Sequence, residues 1–467
     1  MSSQQEGTLK KGLNGRHIFF IAIGSAIGTG LFYGSAEAIK VAGPAVLLTY
    51  FIAGAAVFMV MRALGEMILH KPLAGSFGSY ATLHIAPIAG YLTGWTYIFE
   101  MVLVCVADVV AFSLYMGVWY PDVPPWIWSL GITLVITGLN LCAVKNFGEM
   151  EFILSLIKVL AIVLMIVLGL VVIFWGYYND GVKQAATGFS NLWTNGGFFP
   201  NGIEGIIKSF AMVMFAFGGI EIVGLTAAES DNMEKNIPRA INTVPSRILL
   251  FYVCTLAVLL SIFPWDQIGV SASPFVTIFK QLGIPYAPDV LNFVVIVAAV
   301  SAINSDMYGA ARMMLGLSEH GQAPKSFGKL TKSGVPLVPV LIMFVTLMFG
   351  VYLNYLYHDE LFFMVAAMAT FATVWVWLMI LISHFRMRLK MTEEERKASK
   401  FPVPFWPYGP AIAIAFMVFC IVILGFDKKS LIALGTGLAW VAIMSILYVV
   451  FIGVNNGGKT NHNHDQQ

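Results

Sequence analysis

Composition and pattern together predict an all-α polytopic membrane protein with twelve transmembrane helices. They also predict a five-plus-five inverted repeat in which helices 1 and 6 are broken. Of 467 residues, 58% are hydrophobic and only 11% charged, against about 25% charged in a soluble domain. The apolar residues collect in segments mostly about 18 to 28 residues long, enough to cross about 30 Å of hydrocarbon at 1.5 Å per residue. Two of these segments, the first and the sixth, are interrupted by glycines.

The twelve spans fall near 17–38, 42–64, 85–117, 125–145, 150–176, 203–228, 245–265, 289–316, 335–356, 360–386, 408–426 and 430–453. Turn-forming stretches such as Tyr120-Pro-Asp-Val-Pro-Pro and Gly321-Gln-Ala-Pro separate them. With an even number of spans both ends share a side. Lys and Arg counted loop by loop divide 20 to 6 in favour of that side, which places both termini in the cytoplasm. The expected division is a cytoplasmic tail 1–16, a ten-helix core 17–386, a cytoplasmic loop 387–407, a last helix pair 408–453 and a cytoplasmic tail 454–467. The core comprises repeats 17–176 and 203–386.

Several classes are set aside by the same reading. A net charge of +2 offers no general attraction for nucleic acid. Cys105, Cys142, Cys254 and Cys420 lie inside apolar segments without metal spacing, so they read as packing residues and no metal site is expected. Met1 to Asn14 is polar and lacks the apolar core of a signal peptide. No GxSxG, HExxH or P-loop motif occurs, and no extramembrane stretch is long enough for a catalytic domain, so neither an enzyme nor a cofactor is expected. Paired small residues such as Gly24 and Gly28 serve packing within a chain and between chains equally well, so no oligomeric state follows.

The interruptions carry most of the functional information. The first span contains Gly24-Ser-Ala-Ile-Gly-Thr-Gly30 and the sixth Phe215-Ala-Phe-Gly-Gly-Ile-Glu221. Each glycine costs about 1 kcal/mol relative to alanine inside a helix. Close helix packing is one reading of either segment alone. Their matching positions in two five-span units of opposite orientation favour another, a transporter's binding site near mid-membrane. Unwound backbone frees N–H and C=O groups that lipid cannot satisfy. An amino acid can satisfy them. Its carboxylate would meet N–H groups from Ile27 through Gly28 and Thr29 to Gly30, and its ammonium the carbonyls near Ala26 and Phe215 to Phe217. Ser25, Ala216, Gly218 and Gly219 complete the two candidate segments.

The chain resembles the amino acid–polyamine–organocation superfamily and, within it, the bacterial amino acid transporters of proline, histidine, aromatic amino acids, GABA and lysine. The resemblance rests on Gly24-Ser-Ala-Ile-Gly-Thr-Gly-Leu-Phe32, Arg62-Ala-Leu-Gly-Glu-Met67 with Pro72, Gly75-Ser-Phe77 with Tyr80, and Phe217-Gly-Gly-Ile-Glu221 with Glu229. Ile237-Pro-Arg-Ala240 and Ser301-Ala-Ile-Asn-Ser305 leading to Arg312 extend it, so that it covers about residues 10 to 390 in order. It implies twelve spans, the five-plus-five inverted-repeat fold, an inner-membrane location, an amino acid substrate and proton coupling. The third span is most similar to those of the histidine and proline-specific permeases. Histidine is therefore the first expected substrate, with proline and then aromatic amino acids as alternatives; an exchanger or a channel ranks below them.

Charges inside spans cost a few kcal/mol each and need a reason. Lys158, about 12 Å into a span starting near 150, either snorkels to an interface or takes the place where sodium-coupled relatives bind sodium, with Ser301, Asn304 and Ser305 as neighbours. Glu221 follows the sixth-span break directly. The matching acid in the resembling family handles substrate and protons; a capping carboxylate is the plainer reading. Glu100, Val104 and Asp108 are spaced by four and share a face. An acid at Asp108 is usual in the family, whereas Glu100 departs from it and would suit an imidazole; a hydrogen bond to Tyr97 or to span ten is the alternative. Glu66 beside Arg62, and Glu229 with Arg239, read as gate or loop ion pairs, and His384 as solvated.

Overall fold

The apolar segments become helices. The computed structural model describes residues 15–453 except 26, 74, 143, 180–181, 228–229, 270–272, 285, 358–359 and 427. Eight continuous helical runs are long and apolar enough to cross a membrane, and Pro125–Asn140 and Tyr408–Ile423 are shorter apolar helices. The interrupted first and sixth spans complete twelve. Proline opens several of them, at Pro87, at Pro125 and within the first two positions of Ala287–Glu319, because its fixed φ suits the first helical turn and its missing N–H is no loss there.

Span five shows how the sequence is sorted. Leu160, Leu164, Leu168 and Val171 form an exposed stripe, while Ser155, Lys158, Ile162 and Met165 form a buried one. Water would penalise the first stripe, and hydrocarbon does not. Polar groups accordingly gather inside the bundle, where other helices can satisfy them.

Span three, Pro87–Trp119, is the pivot and packs most extensively against spans eight (Ala287–Glu319) and ten (Leu361–Lys390). The N-terminal half of span one, Gly15–Ser25, lies on span five (Val144–Trp175); its C-terminal half, Ser35–Ala42, lies on Gly202–Ala216 of span six. Spans eleven and twelve, Tyr408–Ile423 and Lys428–Tyr448, pack against span ten from outside.

Several boundaries differ from expectation. Span four ends at Asn140, and span five begins at Val144, not near 150. Lys158 is therefore fourteen residues, about 21 Å by helix rise, into its helix. Cys142 and Cys254 are exposed, not packed, whereas Cys105 and Cys420 are buried. The turn-like stretch after span five holds a short antiparallel hairpin, Tyr177–Asn179 with Val182–Gln184.

Candidate functional site

The first span stops being α-helical at Ser25 and restarts as a π-helical turn over Gly30–Gly34 that continues into Ser35–Ala42. Ala26 and the Ser25 side chain lie outside the described residues. Ile27 N–H donates to Gly24 O at 3.1 Å, so Ile27 offers its N–H inward and not to a ligand. A helix that restarts leaves its first N–H groups without intrahelical acceptors. Span six breaks between Ala216 and Ile222, with Gly219 at φ +87°, a conformation that penalises any side chain.

The two breaks touch. A Cβ on Gly30 would lie 2.5 Å from Ala216 Cα, so only glycine permits this approach. Gly30→Val is expected to destabilise the protein by about 1–3 kcal/mol, the usual cost of overpacking. The readout is melting in detergent, and an unchanged midpoint would mean that the breaks do not meet.

A cavity opens between the breaks. Span one contributes Gly28, Thr29 and Gly30; span six contributes Phe215, Ala216, Gly218 and Gly219. Val104 and Asp108 reach it from span three, and Ala302, Ser305 and Asp306 from span eight. Thr29 Oγ1 donates to Asp108 Oδ1, joining spans one and three at the cavity wall. Phe217, the other candidate aromatic, turns away and packs on Tyr50 and Tyr252.

Lys158 does not snorkel. It is fully buried, and its Nζ donates to Gly24 O at 2.7 Å, Ile27 O at 3.1 Å and Ser301 Oγ at 2.8 Å. It thus ties the break in span one to span eight. Ser301 Oγ donates in turn to Glu151, which also accepts from Ser155 at 3.3 Å. Glu151 was missed by the sequence reading. Asn304 faces Asn140 Nδ2 at 2.9 Å and not Lys158, while Ser305 lines the cavity.

Two acids sit behind the sixth-span break. Glu100 Oε1 accepts from Thr373 Oγ1 of span ten at 2.6 Å, and Glu221 Oε2 from Trp377 Nε1 at 3.0 Å. Both carboxyls are fully buried, and each keeps one oxygen without a partner among the described residues. A Cβ on Gly218 would come within 3.7 Å of Glu100 Oε1, so that acid lies just beyond the cavity wall. Glu100, Val104 and Asp108 do share a face, though only the last two line the cavity.

At one end of the bundle the expected Glu66–Arg62 pairing is replaced by another. Glu66 accepts from His384 Nε2 at 2.8 Å, Ser399 Oγ at 2.8 Å and Val403 N at 2.9 Å, and lies 3.4 Å from Arg388 Nε. His384 is buried, not solvated, because span ten runs on to Lys390 and the following loop folds back over it. Arg62 instead donates to Asn242 Oδ1 at 2.9 Å and to Pro402 O, and lies over the Phe401 ring. Arg239 lies over Phe19, and Glu229 is outside the described residues.

Residues 17–465 match the family model of amino acid permeases. The chain is 45% identical over 445 residues, 95% of its length and 96% of the relative's, to the uncharacterized amino acid permease YtnA of Bacillus subtilis strain 168. It is 42% identical over 450 residues, 96% and 97% of the two chains, to the aromatic amino acid transport protein AroP of Escherichia coli O6:H1. It is 42% identical over 446 residues, 96% of each chain, to the amino-acid permease AapA of Bacillus subtilis strain 168. Twelve spans, paired breaks around one cavity and these full-length matches agree: the chain belongs to the amino acid permease family and is a membrane transporter of amino acids, not an enzyme.

Proposed function

We propose that the protein takes up L-histidine together with protons across the bacterial inner membrane, with both termini in the cytoplasm. Residues 17–386 would form the transport core and 408–453 an accessory pair at its edge. The observation that carries proton coupling is Lys158, held dry between the break in span one and Ser301 of span eight. Protonated, it latches the two together; on losing its proton it loosens its hold on the carbonyls of Gly24 and Ile27. The substrate's carboxylate is assigned to the N–H groups of Gly28, Thr29 and Gly30. Its side chain extends towards Val104 and Phe215, with Glu100 and Glu221 beyond. Glu66, Glu229 and Arg239 are assigned to gating on the cytoplasmic side.

Histidine is favoured because an imidazole has a flat apolar body for Phe215 and a donor for Glu100. Aromatic amino acids are the second reading, supported by the name of the relative AroP; proline is a third. Glu100→Gln is expected to lower histidine uptake about tenfold while leaving phenylalanine uptake within twofold, since a hydrogen bond to a charged group contributes about 1.5–3 kcal/mol. Unchanged histidine uptake would remove Glu100 from the site. Counterflow of labelled amino acid in proteoliposomes separates a carrier from a channel, because only a carrier exchanges substrate.

A further inference from the structure

Asp306 was not singled out by the sequence, and none of the roles assigned above includes it. It lies in the middle of span eight, one residue past Ser305 and one helical turn past Ala302, and all three line the cavity. Its side chain is 5% exposed, and its Oδ2 has no hydrogen-bond partner among the described residues. Asp108 presents the same situation from span three: it is buried, takes a hydrogen bond from Thr29 on Oδ1, and has no partner for Oδ2 among the described residues. The two carboxyls thus line one cavity from facing spans. Two acceptors brought together in a dry wall repel unless a donor stands between them.

The protein does not supply that donor as a cation. No Lys, Arg or His lines the cavity among the described residues. The buried Lys158 is engaged by two carbonyls and Ser301. The acids around this space therefore outnumber the bases: Asp108 and Asp306 line it, and Glu100 lies just beyond its wall. A wall of this kind is complementary to a cation that arrives with the ligand. The permeases' cargo carries one, its α-ammonium. The first turn of the restarted helix, at Gly28 to Gly30, faces the same cavity and is suited to the α-carboxylate.

We propose that Asp306 is a substrate-binding residue, which together with Asp108 receives the α-ammonium of the amino acid. This rests on the permease reading and deepens it, because it divides the zwitterion between span one for its anion and spans three and eight for its cation. It also accounts for an otherwise unfavourable pair of buried carboxyls.

The test removes the charge from each side in turn. Purified wild type, Asp306→Asn and Asp108→Asn are reconstituted, and competition against labelled uptake is measured with L-histidine and L-phenylalanine and with their deaminated counterparts, imidazolepropionate and phenylpropionate. In wild type the amino acid should compete far better than its deaminated acid. In Asp306→Asn that preference should shrink about tenfold or more through loss of affinity for the amino acid alone, with the deaminated acid nearly unchanged. Asp108→Asn should act in the same direction, and Asp306→Glu should recover part of the preference. Equal loss for both members of a pair would show a structural role and overturn the proposal, as would Asp306→Asn retaining the wild-type preference. If neither amino acid nor any of the other common ones competes in wild type, the permease reading itself falls. A variant too unstable to reconstitute is replaced by the other asparagine variant, read in the same way.

Discussion

Lys158→Ala is expected to abolish proton-driven accumulation, lowering uptake at least about a hundredfold in proteoliposomes with an inside-alkaline gradient. Each of the three acceptors around Nζ loses a charge-assisted hydrogen bond, and such bonds contribute about 1.5–3 kcal/mol each. The loss falls on the contact between a broken half-helix and span eight, so it affects the state that must form and dissolve during transport. A purely structural lysine predicts something different. Lys158→Gln keeps donors for Gly24 O and Ser301 and should keep much of the fold, yet it has no proton to exchange. Its counterflow should persist and become insensitive to pH. Wild-type accumulation in Lys158→Gln would show that the proton travels elsewhere.

Glu66→Ala is expected to have the largest effect on stability. The carboxylate joins span two to span ten through His384 and Arg388, and to the loop after span ten through Ser399 and Val403. All of these except Ser399 are buried. Removing one partner of a buried ionic network leaves the others desolvated and unpaired, at a cost of about 3–5 kcal/mol. The melting temperature in detergent should fall markedly, and protease should cut within 391–407 at concentrations that spare the wild type. Glu66→Gln, which can still accept from Val403 N–H, should lose less. Equal stability of Glu66→Ala and wild type would mean that the loop is held by Arg62 and its partners instead.

Much of this was legible in the sequence, because hydrocarbon imposes simple rules. Span length and paired glycine breaks each follow from one physical constraint, and most helices lie within a few residues of where these rules put them. The site was legible in part. Glycines near the breaks pointed to the cavity, and the four-residue spacing of Val104 and Asp108 put both on its wall. Partners were harder to read, because they come from spans distant in sequence. Glu151 lies inside the bundle because span five begins at Val144, ahead of its apolar run, and there it meets Ser301 of span eight. His384 looked solvated beside Arg386 and Arg388, since nothing local shows the loop returning over them. Asp306 did carry a signal, an acid in mid-span next to a recognised motif, and the rule that intramembrane charges need a reason would have found it. Glu100 shows the opposite case: the partner in span ten that was only an alternative is present, as Thr373.

The most direct test is uptake of the twenty labelled amino acids, one at a time, into proteoliposomes holding the wild-type protein under an inside-alkaline pH gradient. Proton-coupled permease action predicts saturable accumulation of a small set that includes histidine, collapsing with an uncoupler and unchanged when sodium is replaced by choline. Accumulation of none of them, or accumulation that requires sodium and survives the uncoupler, would contradict it.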